Sequence, residues 1–400
     1  MKKVHLGVLG YGTVGQGVAK IIQERYEQFK EMIDVDIEIK KVLVRDLSKE
    51  REIKLDEKVF TLDYKEITEN DEIDIVIELT GEIDKAYDMI VSALNNGKDV
   101  VTANKAVVSK YFEEFTCIAK EKDLNFLYEA SVGGGIPIIK PLYDIVKLNR
   151  VKRVRGIMNG TCNYILSKMT EEGSGYLDVL KEAQELGYAE ADPSSDVNGD
   201  DTLRKLRILS TIAFKQPIIE DEILMDGISK IKASDIKLLE KNGRVIKLIG
   251  DTWNEDGTIK SIVQPVAVFK GSYFSSVNGA FNSITVEGDM VGELKFYGSG
   301  AGMLPTANAV LTDCLDIILE NQKTETHGVG CDLEVKSDTI SGKFYIRYEG
   351  DNKELASYAD EVLSESPYVI ITKEVEFKKI KQIVSDDENT AIIRIEDGDY

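Results

Sequence analysis

The sequence contains very little histidine, and this scarcity limits the acid–base chemistry open to it. Among 400 residues there are two histidines, His5 and His327. We expect His5, in the first predicted strand, to lie in or near the core, and His327 to lie in a polar connector. Because histidine is the commonest general acid or base in enzymes, we expect lysine or carboxylate side chains to do such work here.

Cysteine is also scarce, and its spacing argues against two kinds of small structural site. The four cysteines are Cys117, Cys162, Cys314 and Cys331, and no two of them form a close pair. Zinc ribbons and disulfide frameworks both require such pairs. We therefore predict neither, and we expect a reducing, cytoplasmic environment.

Long apolar runs and an excess of positive charge are both missing. No apolar run approaches the length of a membrane span, and the sequence starts with a predicted strand rather than a signal peptide. Lys and Arg number 50 against 71 Asp and Glu, a formal net charge of −21. Such a chain should be repelled by phosphate backbones and anionic membranes. We expect a small-molecule ligand and no nucleic-acid or membrane partner.

A glycine-rich turn follows the first predicted strand, residues 4–9, and precedes a helical pattern that begins near Val18. The turn reads Gly10-Tyr11-Gly12-Thr13-Val14-Gly15. In this strand–turn–helix context, G-x-G-x-x-G predicts a dinucleotide whose pyrophosphate lies at the helix N-terminus. The alternative is an ordinary glycine-rich turn between a strand and a helix.

The end of the second predicted strand, residues 37–44, bears on which dinucleotide is bound. An acidic residue at this point usually holds the ribose 2′-hydroxyl of NAD. Here Arg45, together with Lys49, is suited to the 2′-phosphate of NADP, whereas Asp46 keeps NAD open. We predict NADP or NAD, with NADP favoured.

Further predicted strands at residues 73–79, 99–102 and 125–128 alternate with helices, which favours a parallel, doubly wound sheet. Ligands bind beyond the carboxyl ends of the strands in such sheets. The candidate residues at these ends are Thr80, Thr102 and Lys105. Lys105 is a candidate contact for the nicotinamide ribose or the substrate, and the alternative is a lysine in an exposed loop.

Three consecutive glycines, Gly133–Gly135, follow Glu129 in an otherwise apolar stretch. Their exposed carbonyl groups and one carboxylate are suited to a hard monovalent cation. The alternative, given equal weight, is a crossover where the backbone passes close to another backbone segment or to substrate.

The stretch from Asn159 to Lys205 concentrates ionisable groups just before a predicted helix, residues 201–214. Asp201 and Lys205 are four residues apart and share one face of that helix. An isolated pair of this kind is usually a solvated salt bridge. Glu190 and Asp196 crowd the same approach, however, and such clustering next to a core favours a binding site.

We predict an α/β fold with three parts. A Rossmann-type, doubly wound parallel sheet occupies residues 1–130 and is completed by about 300–322. An α+β catalytic and dimerisation domain occupies residues 131–299, with helices near 163–186, 201–214 and 234–241. Residues 330–400 form a small ferredoxin-like module with the order strand–helix–strand–helix–strand, in which residues 353–364 are the first helix.

The chain resembles homoserine dehydrogenases from about residue 3 to residue 320, through several motifs that are specific only in combination. The motifs are Gly10-x-Gly12-x-x-Gly15, Thr102-Ala103-Asn104-Lys105, Glu129 to Pro137, Asn159-Gly160-Thr161-x-Asn163-Tyr164, Gly187 to Lys205, and Gly300-Ala301-Gly302-x-x-Pro305-Thr306-Ala307. The resemblance implies an NAD(P)-dependent oxidoreductase that interconverts L-homoserine and L-aspartate 4-semialdehyde, in threonine, methionine and isoleucine biosynthesis. The open sheet predicted for the second domain could also pair subunits, so we expect a homodimer.

The resemblance further implies roles for individual residues. Lys205 would give a proton to the aldehyde oxygen, Asp201 would be its partner, and Glu190 would bind the substrate amino group. Lys105 would contact nicotinamide and substrate, and Gly302 would close over the cofactor. The remaining expected substrate contacts are Asp196, Asn159, Gly160, Thr161 and Tyr188. The expected sodium ligands are Glu129, Val132, Gly134 and Ile136.

An ammonium group placed at the aldehyde oxygen would stabilise the negative charge that develops there and could deliver the proton. In the opposite direction the same lysine must lose its proton, so we expect high pH to favour oxidation of homoserine. Glu190 and Asp201 suit a substrate with an α-ammonium group.

The C-terminal segment resembles a divergent ACT domain, which implies a possible amino-acid effector such as threonine. No aspartate kinase segment is seen before the dehydrogenase motifs, so we do not expect the bifunctional form. Two alternatives to a homoserine dehydrogenase stay open: another NAD(P)-dependent amino-acid oxidoreductase, or a sensor that binds nucleotide or amino acid without turnover.

Overall fold

The computed structural model describes residues 2–325, 333–350, 353–385, 387 and 389–396. His327 and Cys331 therefore lie outside the described residues. The α-helices are α1 (Thr13–Ile33), α2 (Lys65–Thr68), α3 (Ile83–Asn95), α4 (Lys105–Glu121), α5 (Ile139–Leu148), α6 (Gly160–Glu172), α7 (Tyr176–Glu185), α8 (Ser194–Val197), α9 (Asp200–Phe214), α10 (Ala233–Lys241), α11 (Met303–Ile318) and α12 (Phe377–Ile383).

The strands are β1 (Lys2–Leu9), β2 (Val35–Leu43), β3 (Phe60–Thr61), β4 (Ile75–Glu78), β5 (Asp99–Thr102), β6 (Phe126–Leu127), β7 (Val151–Ile157), β8 (Leu224–Met225), β9 (Arg244–Glu255), β10 (Thr258–Phe269), β11 (Phe281–Gly288), β12 (Gly292–Ser299), β13 (Glu334–Val335), β14 (Ser341–Tyr348), β15 (Ala359–Glu365), β16 (Tyr368–Thr372), β17 (Val375–Glu376) and β18 (Ala391–Ile395). The chain divides into two compact units. The first comprises Met1–Asp144, Lys215–Pro217 and Gly298–Gly330, and the second comprises Ile145–Phe214, Ile218–Tyr297 and Cys331–Tyr400.

The first unit is built on a six-stranded sheet with the order β3-β2-β1-β4-β5-β6. Every neighbouring pair of strands in it is parallel. This order is typical of dinucleotide-binding sheets, so the predicted Rossmann-type sheet is confirmed. Because β1 lies beside β4, and β4 beside β5, the loops that follow these strands come together at one edge.

Helix α11 completes the core of the first unit although it is distant in sequence. Its residues Ala307, Val310 and Cys314 are buried in the same apolar cluster as Val4 and Val18. Gly17 allows α1 and α11 to approach closely, since a Cβ atom there would lie 2.7 Å from the carbonyl oxygen of Met303.

The second unit contains a mixed sheet whose main path is β12-β11-β7-β9-β10-β18-β14-β16-β15. Helices α6, α9 and α10 pack against β9. The predicted single helix near 163–186 is divided into α6 and α7, because α6 ends at Gly173, which has a left-handed φ of 71°. Sequence reasoning missed β9, since the buried charges Lys247 and Asp251 interrupt its apolar pattern.

The predicted helix at residues 353–364 is wrong. A short 3-10 helix at Leu355–Tyr358 is followed by β15, which pairs with β16 in an antiparallel sense. The segment is rich in residues that favour helices, but pairing with a neighbouring strand overrides propensity. Among the described residues, the order from β14 onward is therefore four strands (β14 to β17), helix α12 and strand β18, and an ACT-like module is not confirmed. β18 instead continues the sheet beside β10.

Within the described residues, every helix is too short or too polar to traverse a lipid bilayer.

Replacing Gly17 by valine should lower the midpoint of thermal unfolding, because the new side chain would force α1 and α11 apart. Overpacking of this kind costs about 1–3 kcal/mol. Glu24→Val, on an exposed part of α1, is the matched control and should leave the midpoint nearly unchanged. Equal midpoints for the two variants would contradict the proposed close contact.

Candidate functional site

The glycine-rich turn between β1 and α1 leaves space for a ligand at its middle glycine. Gly10 has a φ of 109°, and a Cβ atom there would lie 2.9 Å from the carbonyl oxygen of Leu79. At Gly15 a Cβ atom would lie 2.4 Å from the carbonyl oxygen of Gly10, whereas at Gly12 it would meet nothing within 4 Å. Thr13 and Val14 open α1 directly after Gly12. The turn therefore combines tight backbone packing with an open face before exposed helix N–H groups.

Glu78, at the end of β4, connects two of the predicted contact residues, and sequence reasoning missed it. Its Oε1 atom accepts hydrogen bonds from the backbone N–H and the hydroxyl of Thr80, both at 2.6 Å. Its Oε2 atom accepts one from the Thr102 hydroxyl at 2.7 Å. Glu78 is fully buried. One carboxylate therefore orients the loops after β4 and β5. An acidic residue at the end of an otherwise apolar strand is the sequence feature from which this role of Glu78 could have been predicted.

Lys105 is the first residue of α4 and is partly buried. The preceding residue, Asn104, caps the helix by accepting from the N–H of Val107 at 3.3 Å. The buried Nδ2 atom of Asn104 has no hydrogen-bond partner among the described residues. A buried donor without a partner is uncommon in native proteins, so the start of α4 has an unused donor beside Lys105.

The loop after β2 carries three basic side chains. Arg45 is 79% exposed and its Nη2 lies 2.5 Å from Oε1 of Glu82. Arg51 donates to the carbonyl oxygens of Asp46 and Lys49, at 2.5 and 2.7 Å. Hydrogen bonds from the Ser48 side chain and backbone hold the pKa of Asp46 below its usual range. Arg51, which the sequence analysis did not single out, adds positive charge where a 2′-phosphate would be recognised.

Glu129 caps the N-terminus of α5. Its Oε1 accepts from the N–H groups of Ile138 and Ile139 at 2.7 and 2.8 Å, and its Oε2 from that of Lys140 at 2.9 Å. Burial nevertheless raises its pKa. The carboxylate proposed as a cation ligand is therefore already bonded to three backbone donors.

The glycine run after Glu129 makes a close backbone contact. A Cβ atom on Gly134 would lie 2.4 Å from the carbonyl oxygen of Gly300, and the N–H of Gly135 bonds to the carbonyl of Ser299 at 3.1 Å. This geometry supports the crossover interpretation of the run. Val132 and Ile136, on either side of the glycines, are buried. Gly302, the N-cap residue of α11, has a φ of 124°, a value that favours glycine.

Asp201 and Lys205 form a buried ion pair in the first half of α9. Lys205 Nζ lies 2.8 Å from Asp201 Oδ2, and the side chains are 9% and 5% exposed, respectively. The interpretation as a solvated salt bridge is therefore wrong. Lys205 also donates to the carbonyl oxygen of Met158 at 2.7 Å. A lysine ammonium has three N–H donors, so one stays unused among the described residues.

Asn159, which precedes α6, holds the carboxylates of this cluster in place. Its Nδ2 donates to Asp196 Oδ1 at 2.7 Å and to Asp201 Oδ2 at 2.8 Å, while its Oδ1 accepts from the N–H of Cys162 at 2.7 Å. Burial raises the pKa of the Cys162 thiol well above its usual range. A thiolate nucleophile is therefore disfavoured here.

Sequence reasoning missed Met158 and Asn282, which complete the cluster. Asn282 donates through Nδ2 to the Met158 carbonyl at 2.9 Å, the same oxygen that receives Lys205. The neighbouring position 160 needs a residue without a side chain, since a Cβ atom on Gly160 would lie 2.7 Å from the carbonyl oxygen of Ala280. A backbone carbonyl leaves no signal in the sequence, so only the structure identifies this contact.

Of the remaining predicted substrate residues, Tyr188 and Glu190 lie on the loop between α7 and α8, and Thr161 lies in the first turn of α6. The hydroxyl of Thr161 donates to the carbonyl of Tyr188 at 2.6 Å, and the rings of Tyr164 and Tyr188 lie 4.8 Å apart. Glu190 is exposed, and its backbone carbonyl accepts from Gln184 Nε2 at 3.0 Å. The structure thus brings Asn159, Asp196, Asp201 and Lys205 together and leaves the Glu190 carboxylate outside that network.

Comparison of the sequence with known protein families and individual proteins identifies homoserine dehydrogenases in each case. The family description "Homoserine dehydrogenase" matches residues 137–315, and "Homoserine dehydrogenase, NAD binding domain" matches residues 10–129. A homoserine dehydrogenase of Bacillus subtilis is 41% identical over 82% of this chain and 76% of its own length.

Solved structures agree with the sequence matches. A homoserine dehydrogenase structure from Thiobacillus denitrificans is similar with a TM-score of 0.86 and 33% identity, covering 99% of both chains. A hyperthermophilic archaeal homoserine dehydrogenase in complex with NADPH has a TM-score of 0.69 and 25% identity, covering 81% of this chain and all of that one (100%).

Proposed function

The chain belongs to the homoserine dehydrogenase family, and on that basis we propose how its residues carry the NAD(P)-dependent interconversion of L-homoserine and L-aspartate 4-semialdehyde. The observation that carries the proposal is the buried ammonium group of Lys205. Asp201 and the Met158 carbonyl use two of its N–H groups. The third is available for the oxygen of the substrate.

When bound, NAD(P) supplies or accepts the hydride. Lys205 stabilises the negative charge that develops on the aldehyde oxygen and gives it a proton. Asp201 orients the lysine through their hydrogen bond, and Asn159 fixes Asp201. In the oxidative direction Lys205 first loses a proton to solvent, and its neutral amine then takes the hydroxyl proton of homoserine. Glu190 and Asp196 supply negative charge for the substrate ammonium group, and Lys105 and Gly302 contact the nicotinamide end of the cofactor.

The glycine-rich turn is suited to the pyrophosphate, because Gly12 faces open space before the N-terminus of α1. We assign the 2′-phosphate of NADP to Arg45, supported by Lys49 and Arg51. Three cationic side chains in one loop favour a dianionic phosphate over a neutral hydroxyl. NADP is therefore the favoured cofactor.

A monovalent cation such as sodium is compatible with the charges near Glu129. Asp313 and Asp316 are buried in the same unit, and Lys140 pairs with Asp316 at 2.5 Å. Burial and the neighbouring Glu129 raise the pKa of Asp313 well above its usual range. The Oδ2 atom of Asp316 has no partner among the described residues. A cation held by Glu129 and the carbonyls of Val132, Gly134 and Ile136 would offset this excess negative charge.

A homodimer is supported by the edge strand β12. Its residues alternate between exposed and half-buried, and Tyr297 stacks on Phe281 with both rings about half exposed and 5.3 Å between centroids. An exposed edge with aromatic side chains is suited to pairing with a second copy. A threonine effector and a cytoplasmic location stay predictions from the sequence.

Lys205→Met should lower kcat for homoserine oxidation by a factor of ~10²–10⁴, because the proton acceptor is lost. Dinucleotide affinity, measured by equilibrium titration, should stay within about twofold. Lys181→Met, on the exposed face of α7, is the matched control. Near-normal turnover in a folded Lys205→Met protein would contradict the assigned role.

Glu78→Gln should raise KM for the dinucleotide by about tenfold, since an amide nitrogen cannot accept from the threonines and a buried donor loses its partner. KM for homoserine at saturating dinucleotide should change little. The control is Glu69→Gln, an exposed residue. A lower unfolding midpoint with both KM values unchanged would show that Glu78 only stabilises the fold.

Arg45→Gln should weaken NADP about tenfold and NAD by less than about twofold, because only NADP carries the phosphate that pairs with the guanidinium. Loss of the exposed contact to Glu82 should matter little for stability. Arg25→Gln, an exposed arginine of α1, should affect neither cofactor. Equal weakening of NADP and NAD by Arg45→Gln would refute the assignment.

A further inference from the structure

Strand β9 carries a buried lysine that forms no ion pair within 4 Å among the described residues. Lys247 is 2% exposed and lies between Ile246 and Leu248, which are also buried. The carboxylate of Glu171, in α6, favours the charged form of this lysine only from an exposed position. Removing an ammonium group from water is costly unless other oxygen atoms replace its hydration. Hydrogen bonds must therefore compensate for the burial of Lys247.

Three oxygen atoms are close enough to accept all three N–H groups of Lys247. Its Nζ lies 2.6 Å from the carbonyl oxygen of Val277, 2.9 Å from Oδ1 of Asn278 and 3.1 Å from Oδ1 of Asn163. The hydroxyl oxygen of Ser167 is more distant, at 3.5 Å. Because a lysine ammonium has three donors, none is left for a substrate. Lys247 is therefore suited to holding other groups in place and not to reacting itself.

The acceptors of Lys247 belong to two segments, helix α6 and the loop of residues 277–282, that Asn163 also connects. The Nδ2 atom of Asn163 donates to the carbonyl oxygens of Val277 and Phe281, at 3.1 and 3.0 Å, while its Oδ1 atom accepts from Lys247. One buried amide thus joins the lysine to both ends of the stretch from 277 to 281. Together Lys247 and Asn163 hold the 277–282 loop against α6.

The 277–282 loop reaches the cluster around Lys205. Its last residue, Asn282, donates to the carbonyl oxygen of Met158 at 2.9 Å, and the same oxygen accepts from Lys205 at 2.7 Å. The carbonyl oxygen of Ala280 lies where a Cβ atom on Gly160 would be only 2.7 Å away. Contacts therefore continue from Lys247 along the loop to the oxygen atom that orients Lys205.

We propose that Lys247 is a positioning residue for the dehydrogenase reaction, which fixes the 277–282 loop against α6 and thereby the Met158 carbonyl that orients Lys205. This role rests on the function proposed for Lys205. Apolar residues often replace buried charges without loss of stability, so a buried lysine with three directional hydrogen bonds is better suited to fixing geometry than to stabilising the fold. Burial lowers the pKa of Lys247 to about 8, so at pH 7 it is mainly charged and can donate all three N–H groups.

Lys247→Met should lower kcat for homoserine oxidation at pH 7 by a factor of ~10–10², because a small displacement of a catalytic group has effects of this size. The dissociation constant of the dinucleotide should stay within about twofold, since the glycine-rich turn belongs to the first unit. Tyr345→Phe is the matched control. It removes another buried hydrogen bond of the second unit, to Asp235 at 2.8 Å, and should leave kcat nearly unchanged. A kcat within about twofold of the unmodified protein in folded Lys247→Met would overturn the proposal.

A double-mutant cycle separates positioning from a general loss of stability. Asn282→Leu alone should also lower kcat, because the Met158 carbonyl loses one of its two donors. If Lys247 acts through Asn282, the variant with both changes should have a kcat within about twofold of the slower single variant. Two factors that multiply would show that the residues act independently and would overturn the proposal.

If Lys247→Met does not fold, Asn278→Ala tests the same contact from the exposed side of the loop. The change removes one acceptor of Lys247 and should lower kcat by at least about threefold, with dinucleotide affinity unchanged. An unchanged kcat would refute the role of Lys247 while leaving the proposed function intact. Absence of homoserine oxidation by the unmodified protein would instead overturn the proposed function and this role with it.

Discussion

The buried ion pair between Asp201 and Lys205 is the interaction on which the rest of the catalytic unit depends. Removing two charges from water costs several kcal/mol per ion, and a single contact rarely offsets that cost. Here the Met158 carbonyl, Asn159 and Asn282 add hydrogen bonds around the pair. The end of β7, the start of α6 and β11 must therefore all meet at α9. A fold arranged around one lysine suits a reaction that needs one well-placed proton.

A comparable constraint operates in the nucleotide-binding unit, where one carboxylate and several close backbone contacts shape the edge of the sheet. Glu78 accepts from Thr80 and Thr102 and so joins two loops. Gly10, Gly15 and Gly134 sit where a Cβ atom would collide with a carbonyl group. Backbone and buried carboxylate thus leave the N-terminus of α1 open for a phosphate group.

Much of the fold of the first unit and part of the candidate site could be predicted from the sequence. The parallel sheet and its phosphate turn follow from the apolar strands and from the spacing of Gly10, Gly12 and Gly15. The contact between Asp201 and Lys205 follows from their four-residue spacing on one helix. The helix expected at residues 353–364 was wrong, because pairing with β16 outweighed local propensity. Strand β9 was not predicted, because its buried charged residues interrupt the apolar pattern from which a strand is recognised.

The sequence by itself determined the residue types and the local periodicity: the strands and the phosphate turn of the first unit, the glycines that relieve crowding, and the ions that share one face of a helix. Only the tertiary structure decided which of those groups are buried and what satisfies them. The Met158 carbonyl, the bonds of Glu78 and the acceptors of Lys247 all depend on contacts between distant segments. The physical reason is that solvent exclusion and hydrogen-bond partners arise from packing, and a linear pattern does not contain them.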